Sequence, residues 1–213
     1  MLAREASNFG ISLSGHQLTQ FSLYQHELIA WNKKINLTSI IEPKHIVIKH
    51  FLDSLACCQV ITHPTEKHRL LDVGSGAGFP GLPLNIVFPT LHTTLLEPSQ
   101  KKTAFLRHIV GTLELGKVEI VSKTLDQVIR WTEIHHTFSY VMTRAVNISL
   151  AMRSVATLLT DRGKFVLCRS RPLDSRCDTD GLMVVQEIMY DLPREQGKRT
   201  LTILAKCSTW NSR

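Results

Sequence analysis

Residues 70–81 read Leu-Leu-Asp-Val-Gly-Ser-Gly-Ala-Gly-Phe-Pro-Gly: an apolar run, an acid, then glycine at every second position. Residues 69–73 have the composition of a buried parallel strand. Gly74, Gly76 and Gly78 let the backbone turn sharply after it and approach a ligand closely. A helix starting just beyond would aim its amide-rich N-terminus at the same spot. Strand, glycine loop and helix in that order point to an open α/β sheet that binds a nucleotide-like cofactor at its carboxyl edge.

Two cofactor classes compete for this loop. Gly76 to Gly81 is a literal G-x-G-x-x-G, the pattern of dinucleotide sites. Three details oppose that assignment. Asp72 would set a carboxylate against a pyrophosphate, Pro80 removes one N–H from any phosphate cradle, and the glycine alternation begins two residues earlier. A cofactor without phosphates, carrying an amino-acid tail and a sulfonium, suits an acidic strand end better. That points to S-adenosylmethionine. The plainer alternative is a glycine-rich turn that binds nothing.

Residues 93–97, Thr-Thr-Leu-Leu-Glu, read as a second strand closed by an acid. Glu97 can accept hydrogen bonds from both ribose hydroxyls of an adenosine, a role that both cofactor classes share. Acids also end strands as solvated turn residues. Ser99 is placed to cap a helix from Gln100 to about residue 115.

The 213 residues suffice for one domain with an extension, and no apolar run is long enough to span a bilayer. The N-terminus lacks the basic start and apolar core of a secretory signal. Five cysteines without C-x-x-C spacing argue for reduced thiols, a cytoplasmic location, and neither zinc site nor disulfide framework. A monomer is the default expectation. The net charge of +7 is more telling. Basic residues gather at Lys101, Lys102 and Arg107, then at Arg162, Lys164, Arg169, Arg171 and Arg176, and again at Arg194, Lys198 and Arg199. Arg169 and Arg171 follow an apparent strand, so they belong on the cofactor edge, where a positive rim favours a phosphate-rich substrate.

Two amphipathic helical stretches precede the glycine loop, at about residues 14–34 and 43–60, joined by an ordered turn at Asn36-Leu37-Thr38-Ser39. Residues 1–63 read as a helical extension and residues 64–213 as the α/β unit. Beyond the loop, strands are expected at residues 118–122, 138–142 and 164–168, with helices at 125–131 and 148–159. Two further β-like runs, 183–189 and 199–206, are separated only by a proline-containing turn and suggest an antiparallel pair closing the sheet.

Several of these segments resemble one known family. They are residues 31–39, Trp-Asn-Lys-Lys-Ile-Asn-Leu-Thr-Ser; residues 50–55, His-Phe-Leu-Asp-Ser-Leu; the loop ending Phe79-Pro80-Gly81-Leu82-Pro83-Leu84; residues 138–145; and Gly197-Lys198-Arg199. The family is the small-subunit ribosomal RNA guanine-N7 methyltransferases, also called glucose-inhibited division protein B or RsmG. The resemblance spans nearly the whole chain. It implies a Rossmann-like S-adenosylmethionine-dependent methyltransferase fold, with a mostly parallel seven-stranded sheet and an antiparallel C-terminal strand. It also implies methylation of N7 of one guanosine in 16S ribosomal RNA or the small ribosomal subunit. Family cofactor contacts fall on Gly74 and Phe79, on Glu97, on Thr124 and Leu125, and on Arg144; Gly76 and Gly78 complete the loop. Asp126 can accept from the adenine amino group or simply cap its helix.

The chain departs from the family in two places. Glu97 stands where members usually carry Asp, and Cys168-Arg169-Ser170 replaces the usual Leu-Lys-Gly. Arginine keeps the charge but not the shape or hydration of lysine. A ribosome-binding protein without catalysis therefore stays open as a second reading, as does action on another RNA. Methylation at N7 asks little of the protein, because the lone pair carries no proton and needs no base. In-line positioning should dominate catalysis. Arg144 and Arg169 are the candidate catalytic residues, orienting the guanine.

Overall fold

The computed structural model describes residues 1–62, 64–144, 155–174, 179 and 181–207. Seven strands form one sheet: β1 Arg69–Val73, β2 His92–Leu96, β3 Val118–Val121, β4 Phe138–Thr143, β5 Leu159–Arg169, β6 Leu182–Asp191 and β7 Lys198–Lys206. Their spatial order is β3-β2-β1-β4-β5-β7-β6. Neighbours from β3 to β5 pair in parallel, and β7 runs antiparallel to both β5 and β6. The final hairpin does close the sheet, with β7 slotted inside β6. Strand order reverses beside β1, where β2 leaves on one side and β4 on the other, which opens a crevice at the carboxyl edge.

Burial explains the central strands. Leu70 joins the apolar cluster on one face, while Leu71 and Val73 join the cluster on the other. A parallel strand covered on both faces must be apolar throughout. Asp72 breaks that rule, and its position is taken up below. β5 is longer than the expected 164–168, because it starts at Leu159 and runs through a register shift against β4. A Cβ on Gly163 would lie 2.9 Å from the Phe138 carbonyl oxygen, so glycine is what admits this close approach. Of the helix expected at 148–159, residues 155–159 are described: 155–158 are helical, and Leu159 already opens β5.

The helix Gly15–Asn32 starts at a capping box formed by Ser14 and Gln17. It turns Phe21, Tyr24 and Leu28 into the core, with Leu18 and Trp31 half-buried beside them. The second helical stretch differs from expectation. It is a composite of a helix Pro43–Ile46, a π segment Val47–Leu52, a short helix Asp53–Leu55 and a 3-10 turn Ala56–Gln59. Its first turns are one-sided, with Pro43 and Lys44 exposed and Ile46 and Ile48 buried, but every residue from His50 to Cys58 is buried, so that part is not amphipathic. This stretch is wedged between the first helix and the sheet. Phe51 packs against Phe21, Tyr24 and Phe79, so one core cluster runs through the extension and the sheet.

Cys57, Cys58 and Cys168 are buried free thiols, and Cys207 is an exposed one. No helix among the described residues is long and apolar enough to cross a membrane. No cluster of side chains among them is suited to a metal.

Candidate cofactor and substrate site

The glycine loop leaves β1 with Gly74, Gly76 and Gly78 all at positive φ. The amides of Gly74 and Ser75 both donate to the Leu96 carbonyl oxygen, at 2.8 and 3.1 Å, which ties the loop to the end of β2. Glu97 completes the tie. Its Oε2 accepts from the Gly76 amide and its Oε1 from the Ser99 amide, both at 2.9 Å. Glu97 is buried, yet it lines the cavity and keeps lone pairs free to accept more. Ser99 does hold the N-cap position of the helix Gln100–Thr112, but its side chain makes no cap bond; Glu97 takes its amide instead.

The cavity above this loop holds about 520 Å³ and sits at the crevice between β1, β2 and β4. Gly74, Gly76, Phe79, Glu97, Thr124, Leu125 and Arg144 all line it, as expected from the sequence. Thr124 begins the helix Leu125–Val128, and its amide donates to Gln127 Oε1 at 3.0 Å. Thr124 and Gln127 therefore form the cap, and Asp126 faces the cavity instead. Lys102 and Lys123 stand at its rim.

Two expected site residues lie elsewhere. Gly78 is buried beneath the loop, where a Cβ would come within 2.5 Å of Leu82 Cδ1 and 2.6 Å of the Tyr24 hydroxyl. It serves packing, since Tyr24 must pass it to donate to the Ala77 carbonyl oxygen. Arg169 ends β5 opposite Thr200 of β7, off the cavity wall. Its Nη1 is buried without a hydrogen-bond partner among the described residues.

The cavity wall also contains residues the sequence reading gave no site role: Leu37, Thr38 and His50, all from the helical extension. Asn32 holds the turn before them, accepting from the amides of Leu37 and Thr38 and donating to the Thr38 carbonyl oxygen. The His50 ring stacks on Phe79, with centroids 4.5 Å apart. Arg144 Nη2 lies 2.9 Å from His50 Nδ1, and because a guanidinium only donates, Nδ1 accepts. The proton then sits on Nε2, which donates to Thr38 Oγ1 at 2.9 Å. Burial and then the Arg144 charge push this imidazole down to about 3, so it stays neutral. Arg144 also donates to the Lys49 carbonyl oxygen at 3.1 Å and lies over the Phe79 ring. The family motifs around residues 31–39 and 50–55 were the available signal; their spacing alone does not show that they meet Arg144.

Asp72, fully buried, points away from the cavity and accepts from the Gly81 amide at 2.8 Å, bracing the helix Gly81–Val87 against β1. Its Oδ1 has no partner among the described residues. Burial pushes this carboxyl up to about 7, although the Gly81 amide and the Arg144 charge pull it back. The unfolded carboxyl titrates near 4, so the folded protein retains a proton that the unfolded chain has lost between about pH 4 and pH 7. Stability therefore falls as pH rises through that window, by on the order of 4 kcal/mol. Urea unfolding near pH 5 and near pH 8 should show the larger part of that fall, roughly 3 kcal/mol, for the native chain and a smaller one for Asp72→Asn.

An open sheet with its order reversed at β1, one antiparallel strand beside β5, a glycine loop after β1 and an acid after β2 defines the Rossmann-like methyltransferase class. TYW2 of M. jannaschii, solved in complex with AdoMet, shares this fold with a TM-score of 0.51 at 14% identity, over 68% of this chain and 70% of that one. In sequence, residues 17–199 match the family described as rRNA small subunit methyltransferase G. A protein of that description from Roseiflexus castenholzii is 46% identical over 145 residues, spanning 68% of this chain and 61% of its own length. Another, from Dehalococcoides mccartyi strain CBDB1, is 38% identical over 211 residues, spanning 95% of this chain and 88% of its own. The chain belongs to the rRNA small subunit methyltransferase G family.

Proposed function

We propose that this chain transfers a methyl group from S-adenosylmethionine to N7 of one guanosine in 16S ribosomal RNA, acting in the cytoplasm as a monomer. Residues 1–63 are read as an extension that supplies the substrate side of the mouth, and residues 64–213 as the methyltransferase unit. The residues present suit the cofactor. The volume is that of a small-molecule pocket, Glu97 has acceptor capacity for two ribose hydroxyls, and Phe79 offers an apolar wall. Glu97 would hold the ribose, Thr124, Leu125 and Asp126 the adenine, and Gly74, Gly76 and Phe79 the amino-acid end. When bound, S-adenosylmethionine supplies an electrophilic methyl group.

The observation that carries the reading is the state of the cavity wall formed by His50 and Arg144. His50, the imidazole there, has both nitrogens engaged and stays neutral, while Arg144 presents positive charge beside it. Such a wall takes up no proton, which matches a nucleophile that has none to lose. Arg144 would orient the guanine so that N7 lies in line with the methyl group. Arg169 and Arg199, on the neighbouring strands of the same edge, suit the RNA backbone.

Labelled methyl transfer to intact small subunits and to naked 16S RNA, followed by borohydride–aniline cleavage, tests the proposal. Cleavage at a single guanosine is expected. Incorporation without cleavage would replace N7 with another position, and no incorporation by a chain that binds the cofactor would overturn the RNA substrate.

A further inference from the structure

The carboxylate of Asp53 lies off the cavity wall, yet it joins the helical extension to β6, β7 and the residue that follows β4. Oδ1 accepts from the Tyr190 hydroxyl at 2.7 Å and lies 3.4 Å from Arg199 Nε, while Oδ2 lies 3.6 Å from Arg144 Nη1. Tyr190 belongs to β6 and Arg199 to β7, and Arg144 follows β4. Asp53 is buried, and a buried carboxylate is tolerated only when paired and hydrogen-bonded.

The arrangement is not a balanced ion pair. Among the described residues, the Asp53 carboxylate pairs with two guanidinium groups, so that this cluster carries excess positive charge at the sheet edge beside the cavity. A purely structural contact gains nothing from a surplus cation under partial burial. An anionic substrate does. Arg144 is also held by a short stretch of chain, through the Lys49 carbonyl oxygen, His50 Nδ1 and Asp53. The π segment Val47–Leu52 leads directly into Asp53, and His50 and Asp53 both reach the guanidinium. Through Oδ1 the same carboxylate connects Arg144 to the β6–β7 hairpin.

We propose that Asp53 is a positioning residue. It fixes the Arg144 guanidinium at the mouth of the cavity and links that position to Tyr190 and Arg199 on the hairpin. The proposal rests on the methyl-transfer function above, with Arg144 as the group that meets the substrate.

Asp53→Asn keeps the shape of the side chain and removes its charge. Measured well below the melting temperature, its kcat on small subunits should fall roughly tenfold to a hundredfold with KM for the subunit little changed, as for a misplaced orienting group. In an Arg144→Lys background the same change should have little further effect, because neighbours acting through one group are not additive. Tyr190→Phe, which removes one donor from Oδ1 and keeps the ring, should show the same pattern with a smaller loss; it carries the test if Asp53→Asn does not fold. An Asp53→Asn protein as active as the native chain overturns the proposal. So does a loss of the same size in both backgrounds, or lowered thermal stability with kcat intact. A native chain inactive on subunits and naked RNA would instead overturn the functional reading, and the positioning role with it.

Discussion

Replacing Glu97 with alanine is expected to weaken S-adenosylmethionine binding by on the order of a hundredfold, about 3 kcal/mol, read by titration calorimetry. Hydrogen bonds to a charged acceptor are each worth roughly 1.5–3 kcal/mol, and two ribose hydroxyls would lose theirs. The alanine also releases the amides of Gly76 and Ser99, so the loop loses its anchor on β2 as well as its ligand contact. Glu97→Gln separates the two effects. It retains one acceptor oxygen and should cost only about tenfold. Unchanged affinity in the alanine variant would remove the ribose from this end of the cavity.

Gly78→Ala should be the most destabilising change of a single methyl in the loop, costing about 3 kcal/mol from two sources. The residue sits at φ +98, a conformation that L side chains rarely adopt. Its Cβ would also collide with Leu82 Cδ1 and with the Tyr24 hydroxyl, which is fixed by its bond to the Ala77 carbonyl oxygen. In a chain of this size that loss should lower the melting temperature by roughly 6–12 °C. Gly76→Ala provides the contrast. Its φ is +61, but the nearest atom to an added Cβ is 3.9 Å away, so only the backbone strain of about 1–2 kcal/mol remains. Equal melting temperatures for the two variants would show that Tyr24 and Leu82 yield easily. Both comparisons need only thermal unfolding of the free protein.

These two glycines show how far local pattern reaches. Glycine alternation announces that the backbone must bend, and the positive φ at Gly74, Gly76 and Gly78 agrees. It does not say what fills the space where a side chain would go. Gly76 faces the cavity, while Gly78 faces Tyr24, a residue 54 positions earlier whose contact follows from how the first helix crosses the loop. Asp72 divides in the same way. An acid at the end of an apolar strand was visible, but only the packed structure turns it toward the Gly81 amide and away from the cavity.

What the sequence by itself determined is the chemistry available along the carboxyl edge: a turning glycine loop, an acid after β2, a helix start after β3 and an arginine after β4. Those follow from short-range rules, because strand periodicity, capping and glycine freedom act within a few residues. Tertiary structure decided which groups share the cavity. His50 and Arg144 are 94 positions apart, and Tyr190 and Asp53 are 137 apart. Their meeting depends on the strand order β4-β5-β7-β6 and on the π segment that delivers His50 and Asp53 to one guanidinium. The same order left Arg169 on the shared edge but off the cavity wall, since pairing with β7 governs where the end of β5 lies. Such contacts are long-range because a parallel sheet brings together strands separated by whole crossover connections, and local sequence carries no record of which strands become neighbours.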